Sequence, residues 1–371
     1  MVADRKVAIV HDWLISMAGA ERVLESICSI YKESPIFTLF YDKASVEKSP
    51  FENRDIYTSF LQHFPKIEKI YRNLFPFFGV AVEGLDLSGY DVIISSSHAV
   101  AKGFKKKDNQ LHICYCHTPS RYVWDMYEDY ANSMPVYKRP LFSLTVKYMR
   151  KWDLRSTEKV DYFIASSRFV AERIKKIYKR NAHVIYPPVD VEDFKVETDK
   201  DDYYIFISRL TNAYKKCDIV IEAFNRLDKK LLVIGDGEDR IKLQKRAKNN
   251  IKFLGWQNKK AINYYLGKAK ALIFPSIDDF GIVSVEAQAC GTPVIAYRGG
   301  GALETVIENK TGLFFDRQDV DSLVDAVRKF EKVESQFDPY ILRNNAEKFS
   351  RTRFEKEFRD FTKKKINSHF N

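Results

Sequence analysis

Short apolar runs recur along this chain, and most are followed by turn residues and then by a stretch with helical spacing. In the first half the strand candidates are Lys6–Val10 (KVAIV), Pro35–Phe40 (PIFTLF), Asp91–Ser95, Leu111–Cys116 (LHICYC), Tyr162–Ala165 and Val184–Tyr186. The second half repeats the pattern with Tyr203–Ser208, Leu231–Gly235, Ile251–Gly255, Ala271–Phe274, Val294–Tyr297 and a last run from Gly312. Continuously apolar strands alternating with helices specify parallel sheets covered on both faces, an α/β fold. At 371 residues the chain is too long for one ordinary core. The proline-bearing, charge-rich stretch 187–202 reads as a linker between domains at 1–186 and 203–343. A ligand cleft is expected between them. The basic segment 344–371 is expected to be helical, over about Asn344–Lys365, and to pack back on the first domain.

One stretch carries more chemistry than the rest. Ala271–Pro293 (ALIFPSIDDFGIVSVEAQACGTP) reads as strand, loop and helix N-terminus, the helix running from about Ser284 to Cys290. A helix start presents unpaired N–H groups and a partial positive charge, which together favour an anion. Asp278 before the helix and Glu286 in its first turns bracket that anion site. Carboxylates around an anion pocket suit a phosphorylated, hydroxyl-rich ligand such as a nucleotide sugar. Glu286 also has a plainer explanation, as an acid favoured by the helix dipole.

The first half offers a weaker signal of the same kind. Ala18-Gly19-Ala20-Glu21-Arg22 leads from the first strand into a helix, without a GxGxxG pattern. His11, His98 and His117 each stand where a strand ends, the place where ligands of open α/β sheets collect, and no metal-ligand spacing links them.

Composition narrows the partners. A 45% hydrophobic, 30% charged chain is that of a soluble globular protein. The net charge of +11 comes without a long basic block, an RNP-like strand or zinc-finger spacing, so nucleic acid is not expected. The basic surface fits a phosphorylated substrate or anionic lipid. Five cysteines without C-x-x-C spacing read as free thiols of a reducing compartment. No signal peptide is evident, and the longest apolar stretch, Leu74–Val82, is too short to span a bilayer. The expected location is cytoplasmic, at most peripheral on the inner membrane. Phe64–Phe78, read as one amphipathic helix, Lys105–Lys107 and the helix carrying Arg168–Arg180 are the candidate membrane-facing elements, against packing or solvation as the ordinary explanation. Leu141–Val160 reads as a helix with Trp152 and a basic side, and Ser166 or Ser167 as a helix cap.

The motifs of the second half resemble those of family 4 (group 1) retaining glycosyltransferases. They are Ser208-Arg209-Leu210, Tyr214-Lys215, Gly235-Asp236-Gly237, Phe253-Leu254-Gly255-Trp256, the stretch from Phe274 to Ala296, and the triple glycine followed by Glu304. HDWL, AGAERV, SSSHAVAKG and YCHTPSRYVWD extend the resemblance through the first half, towards bacterial mannosyltransferases of O-antigen, lipopolysaccharide core and exopolysaccharide synthesis. It implies the GT-B architecture: two Rossmann-like domains facing across a cleft, with the C-terminal helix returning to the first. It also implies roles. Arg209 and Lys215 would hold the donor diphosphate, Asp278 the sugar hydroxyls and Glu286 the ribose, as the two acids of an E-x7-E motif. Gly281, Ile282 and Val283 would add backbone N–H groups, with Phe280, Gly237 and Trp256 also at the donor. His117 would line the sugar pocket and Gly19 would let backbone approach the diphosphate. Two departures stand out: Asp278 where the family usually has Glu, and Ala18-Gly19 where it usually has Gly-Gly, which leaves Gly19 as the source of any positive-φ turn.

The chemistry implied is retaining transfer without a metal or other cofactor. The departing diphosphate takes the acceptor proton on the same face, so no pair of flanking carboxylates is needed. The expected donor is GDP-mannose and the expected acceptor a lipid-linked saccharide. The competing readings are a UDP-hexose donor, a synthase or phosphorylase acting on soluble glucans, and a nucleotide-sugar-binding protein that has lost catalysis. A Rossmann dehydrogenase lacks its fingerprint here.

Overall fold

Two parallel sheets organise the chain. The computed structural model describes residues 5–371 except 48, 122, 126, 129, 130 and 132–134. It divides into one unit formed by Met1–Pro188 with Phe354–Asn371, and another formed by Val189–Arg353.

The first unit holds β1 (Val7–His11), β2 (Ile36–Thr38), β3 (Ile56–Thr58), β4 (Val92–Ser97), β5 (Leu111–Cys116), β6 (Tyr162–Ala165) and β7 (Ala182–Val184). They form a seven-stranded sheet in the order β3-β2-β1-β4-β5-β6-β7. Every pairing is parallel. β4 and β5 are buried along their whole length, as strands covered on both faces must be. Ser167 is the serine that caps the helix Arg168–Tyr178, accepting the Val170 N–H at 3.0 Å.

The second unit holds β8 (Tyr204–Ile207), β9 (Leu231–Ile234), β10 (Ile251–Gly255), β11 (Leu272–Phe274), β12 (Val294–Tyr297) and β13 (Gly312–Phe315). Its six strands run in the order β10-β9-β8-β11-β12-β13, again all parallel. Chain order therefore reverses between β8 and β11, and in a doubly wound sheet the crevice beyond the strand ends at that reversal is where ligands bind.

Several expectations change. Phe64–Phe78 is not one helix. Lys66 adopts a left-handed conformation (φ 54°), a helix runs only over Ile67–Ile70, a 3-10 segment over Tyr71–Phe77 contains Pro76, and a further helix covers Phe78–Glu83. Proline lacks the donor a continuing helix needs. Ile67 and Phe78 are buried while Phe64 and Phe77 are exposed.

From Val189 onward the stretch 187–202 belongs to the second unit. The Val189 N–H donates to Phe349 O, Arg343 to the carbonyls of Val191 and Phe194, and Lys259 pairs with Asp190. The single helix expected over Asn344–Lys365 is two, Pro339–Glu347 and Arg351–Phe370. The second buries Phe354, Phe358 and Ile366 among Ile9, Leu24, Ile94 and Tyr115 of the first unit. A helix Val320–Val333, capped by Asp319, and the edge strand β3 lie outside the sequence-based reading.

Candidate functional site

The loops that leave β8 and β11 flank the reversal of the second sheet. The β8 loop carries Arg209, which is exposed, and runs through the short helix Asn212–Lys215. The β11 loop carries Asp278. Lys215 Nζ donates to both carboxylate oxygens of Asp278, at 2.8 and 2.7 Å, and both side chains are about four-fifths buried. The structure therefore brings together two residues that the sequence reading gave to different parts of a ligand. An ammonium has three donors, so two bonds to Asp278 leave one for a further acceptor such as a phosphate oxygen.

Glycines hold both loops in place through close backbone approach. Gly235 has φ +127°, and a Cβ there would lie 1.9 Å from Ser208 O; one on Gly237 would lie 2.3 Å from Leu210 O. The Leu210 N–H also donates to Asp236 O at 2.9 Å. Gly237 thus backs the loop that carries Arg209. On the other side the Gly301 N–H donates to Asp278 O at 2.8 Å, and a Cβ on Gly301 would meet the Phe280 backbone at 2.3–2.6 Å. The triple glycine is the plate against which residues 278–280 rest.

Gly281, at φ +87°, opens the helix Ile282–Ala289. Ile282 and Val283 follow half-buried, and Phe280 is buried against Phe349. The helix starts two residues earlier than expected, so Glu286 stands beyond its first turn and is 7% exposed. The dipole explanation weakens there, because that effect falls off within the first turn. Ser284 and Gln288, one turn apart, bond to Thr305 Oγ1 and Thr305 O, and Asn345 donates to Gln288 Oε1 at 2.7 Å. This buried set fixes the helix from behind. Thr305, Gln288 and Asn345 are residues that sequence reasoning missed, since a buried amide or hydroxyl leaves no periodic or motif signal. Trp256 follows β10 at the sheet edge and is exposed, two strands from the reversal.

His117 and Gly19 belong to the first unit. There the strand ends of β1, β4 and β5 carry a linked polar cluster. Ser96 Oγ lies 3.1 Å from His11 Nδ1 and 2.8 Å from His117 Nε2, joining the two imidazoles. His11 Nε2 faces Glu21 Oε1 at 3.8 Å, and His98 Nδ1 faces Asp12 Oδ2 at 3.1 Å. Asp12 accepts the N–H groups of His98, Ala99, Val100 and Ala101 at 2.6–3.0 Å. Burial works against its charge, but His98, His11 and these N–H groups outweigh it and hold its carboxyl below the usual range. Burial, with His98 and His11 beside it, pushes His117 well below the ordinary imidazole value, so it is neutral near pH 7.

Gly19 differs from expectation. It is the first residue of the helix Gly19–Ile30, and the positive-φ glycines among the described residues are Gly235, Gly255, Gly281, Gly291 and Gly300. Ala18 is extended, at φ −115°, and its N–H donates to Glu21 Oε2 at 3.0 Å. An alanine fits this turn because no left-handed residue is required.

The five cysteines are buried and free. Among the described residues no group of three or more His, Cys, Asp or Glu side chains is placed to hold a metal ion, and no helix is long and apolar enough to cross a membrane.

The chain matches two family models in tandem, Glycosyltransferase Family 4 over residues 19–193 and Glycosyl transferases group 1 over residues 189–353. It is 29% identical over 214 residues to an uncharacterized glycosyltransferase of Methanocaldococcus jannaschii, covering 56% of this chain and 59% of that protein. Over 51 residues it is 53% identical to the GDP-mannose-dependent alpha-(1-6)-phosphatidylinositol monomannoside mannosyltransferase of Mycolicibacterium smegmatis, 14% of this chain and 13% of that protein. A Candida glabrata alpha-1,3/1,6-mannosyltransferase is 23% identical over 336 residues, 72% and 70% of the two chains. Among solved structures, sucrose-phosphate synthase from Thermosynechococcus elongatus superposes with a TM-score of 0.76 at 19% identity, over 98% of this chain and 100% of that one. The Anabaena protein HepE in complex with UDP gives 0.72 at 16% identity, over 96% and 100%. These likenesses identify the fold as GT-B.

Proposed function

The chain belongs to the group 1 glycosyltransferases of family 4, and from that premise we propose that it transfers mannose from GDP-mannose to a lipid-linked saccharide, with retention at the anomeric carbon. The observation that carries a nucleotide-sugar site is the Lys215–Asp278 pair at the strand reversal, backed by Gly237 and Gly301 and followed at once by a helix start. In this reading Arg209 and the remaining Lys215 proton bind the diphosphate, joined by the amides of Gly281, Ile282 and Val283. Asp278, oriented by its two bonds from Lys215, accepts a hydrogen bond from a sugar hydroxyl. Glu286 holds the ribose, and His117, neutral, hydrogen-bonds the sugar.

Transfer breaks the bond between the anomeric carbon and the diphosphate oxygen and forms one to the acceptor oxygen on the same face. The acceptor proton passes to the departing diphosphate, whose charge Arg209 and Lys215 stabilise as it develops. With those two cations in place, the step as proposed needs no metal.

Donor identity rests on the relatives: the Mycolicibacterium smegmatis mannosyltransferase is GDP-mannose-dependent, whereas HepE is found in complex with UDP and with UDP-glucose. A UDP-hexose donor is therefore the second reading. A thermal-shift panel of GDP- and UDP-sugars separates them. GDP-mannose is expected to give the largest rise in Tm; a rise confined to UDP-sugars overturns the donor assignment, and no rise with any nucleotide sugar overturns the site.

A further inference from the structure

We infer that His98 binds a saccharide hydroxyl through its Nε2 atom, beside the ring of His117. The first sheet reverses its chain order between β1 and β4, and the crevice beyond the strand ends at such a reversal is where a ligand fits. Asp12 directly follows β1, and His98 directly follows β4. Most polar atoms of the cluster there are spent on one another. Ser96 Oγ takes His11 Nδ1 and His117 Nε2, Glu21 faces His11 Nε2, and Asp12 accepts four backbone N–H groups. His98 Nδ1 lies 3.1 Å from Asp12 Oδ2. The other ring nitrogen of His98, Nε2, has no partner among the described residues, and the side chain is 22% exposed.

The ring is held in place for such a contact. It stands edge-on to Trp13, with centroids 4.6 Å apart and planes at 88°. Trp13 is itself buried against Phe40, Tyr71 and Phe78. The His98 N–H donates to Asp12 Oδ2 at 2.6 Å, so backbone and ring both meet one carboxylate. That carboxylate favours a proton on Nδ1, which leaves Nε2 to accept. A ring fixed in this way loses little freedom when a ligand binds. Charge then selects the ligand. Asp12 and Glu21 place two buried carboxylates in the cluster, which disfavours a phosphate or another anion. A hydroxyl carries no charge and can donate to Nε2 or accept from it. The ring centroids of His98 and His117 are 6.2 Å apart, so hydroxyls bound at the two imidazoles are neighbours. The inference deepens the proposed reading: with His117 on the donor sugar, the hydroxyl at His98 belongs to the acceptor. Only that last assignment rests on the proposed reading.

Titration of the full chain, without nucleotide, with methyl α-mannoside, methyl α-glucoside and methyl α-galactoside tests it. Imidazole nitrogen signals are followed by NMR; the chain has seven histidines, and the His98 signal is the one lost in His98→Asn. At least one of the sugars is expected to move the His98 Nε2 signal. His98→Asn keeps a donor towards Asp12 and removes the outward nitrogen, whereas His98→Gln restores a polar atom near the place of Nε2. The Kd of that sugar, read from its own line broadening, should rise about fivefold in His98→Asn and about twofold or less in His98→Gln, with Tm unchanged in both. An imidazole that serves only the fold gives the reverse order, with Tm lowered most in His98→Gln, and that result overturns the proposal. A His98 signal that none of the sugars moves overturns it too, as does a wild-type Kd in His98→Asn. The Tm rise of the wild type with GDP-mannose is measured on a separate sample. Its absence contradicts the donor reading and leaves the His98 result standing.

Discussion

Lys215 and Asp278 share a bond that either could also make to a ligand, and this sets what substitution does. Asp278→Asn removes the charge that holds two of the lysine's three donors. Lys215 is then free to move, and in the proposed site a sugar hydroxyl loses a charged acceptor, a change of roughly 1.5–3 kcal/mol. The expected outcome is a fall in kcat/KM of about 10- to 100-fold. Asp278→Glu, which restores the usual family acid, should retain most activity. Steady-state kinetics on both variants check this; equal losses would mean that the charge at this position is immaterial. The pair was only half legible in sequence. Each residue sat in a recognisable motif, but 63 positions separate them, and no local rule says that they meet.

Ser96 makes the same point more sharply. Its hydroxyl joins His11 Nδ1 to His117 Nε2, yet in sequence it is one serine in a run of three. Ser96→Ala leaves the buried His11 nitrogen and the half-buried His117 nitrogen without that partner, at about 1–3 kcal/mol for a buried group stranded. Urea unfolding should show a loss of about 2 kcal/mol or more, and an unchanged midpoint would contradict the assigned network.

Among the elements, the loop after β11 shows how backbone approach fixes a side chain. Gly301→Ala sets a methyl against the Phe280 backbone, which cannot yield as a flexible side chain can. Overpacking of this kind costs about 1–3 kcal/mol and should shift residues 278–280, so donor turnover falls with stability. Gly89→Ala is the control, since a Cβ there meets nothing within 4 Å. Equal melting and equal turnover in the two variants would contradict the role given to the triple glycine.

The strands of both sheets were readable because buried parallel strands are unbroken apolar runs of fixed length. β3 was not, for Ile56–Thr58 is a three-residue edge strand with an exposed centre, and the opposite edge strand, of the same kind, runs over Ala182–Val184 where Val184–Tyr186 was expected. Phe64–Phe78 misled because its aromatic residues mimic a helical period while Pro76 and the left-handed Lys66 break it. Val320–Val333 has a regular inward row, Leu323, Val324, Val327 and Phe330, so this helix is legible from its spacing although no motif marks it.

At the scale of the whole molecule, stability should depend on pH through buried imidazoles. His112 is fully buried, and burial is the main cause that pushes its pKa down to about 3. Unfolded, it titrates near 6.5. The unfolded chain therefore binds a proton that the folded one refuses, so stability is full above about pH 6.5 and is lost as pH falls towards 3. The slope is about 1.4 kcal/mol per pH unit for this group, with His117 adding in the same direction. Urea titrations at pH 7 and 5.5 check it; equal stability at the two values would contradict a neutral His112.

The terminal helix belongs to the same account. Phe358, fully buried in the first unit's core from the far end of the chain, should cost about 3–5 kcal/mol when replaced by Ala. Unchanged stability would mean that the helix is not part of that core.

The proposed nucleotide-sugar site is formed by Lys215, Asp278 and Glu286. Turnover of GDP-mannose by Lys215→Ala and Glu286→Ala, beside wild type and with circular dichroism to confirm the fold, tests it most directly. Both variants are expected to stay folded and to lose turnover by 100-fold or more, on the order of 3 kcal/mol of transition-state stabilisation each. Turnover at the wild-type rate by both folded variants would contradict it.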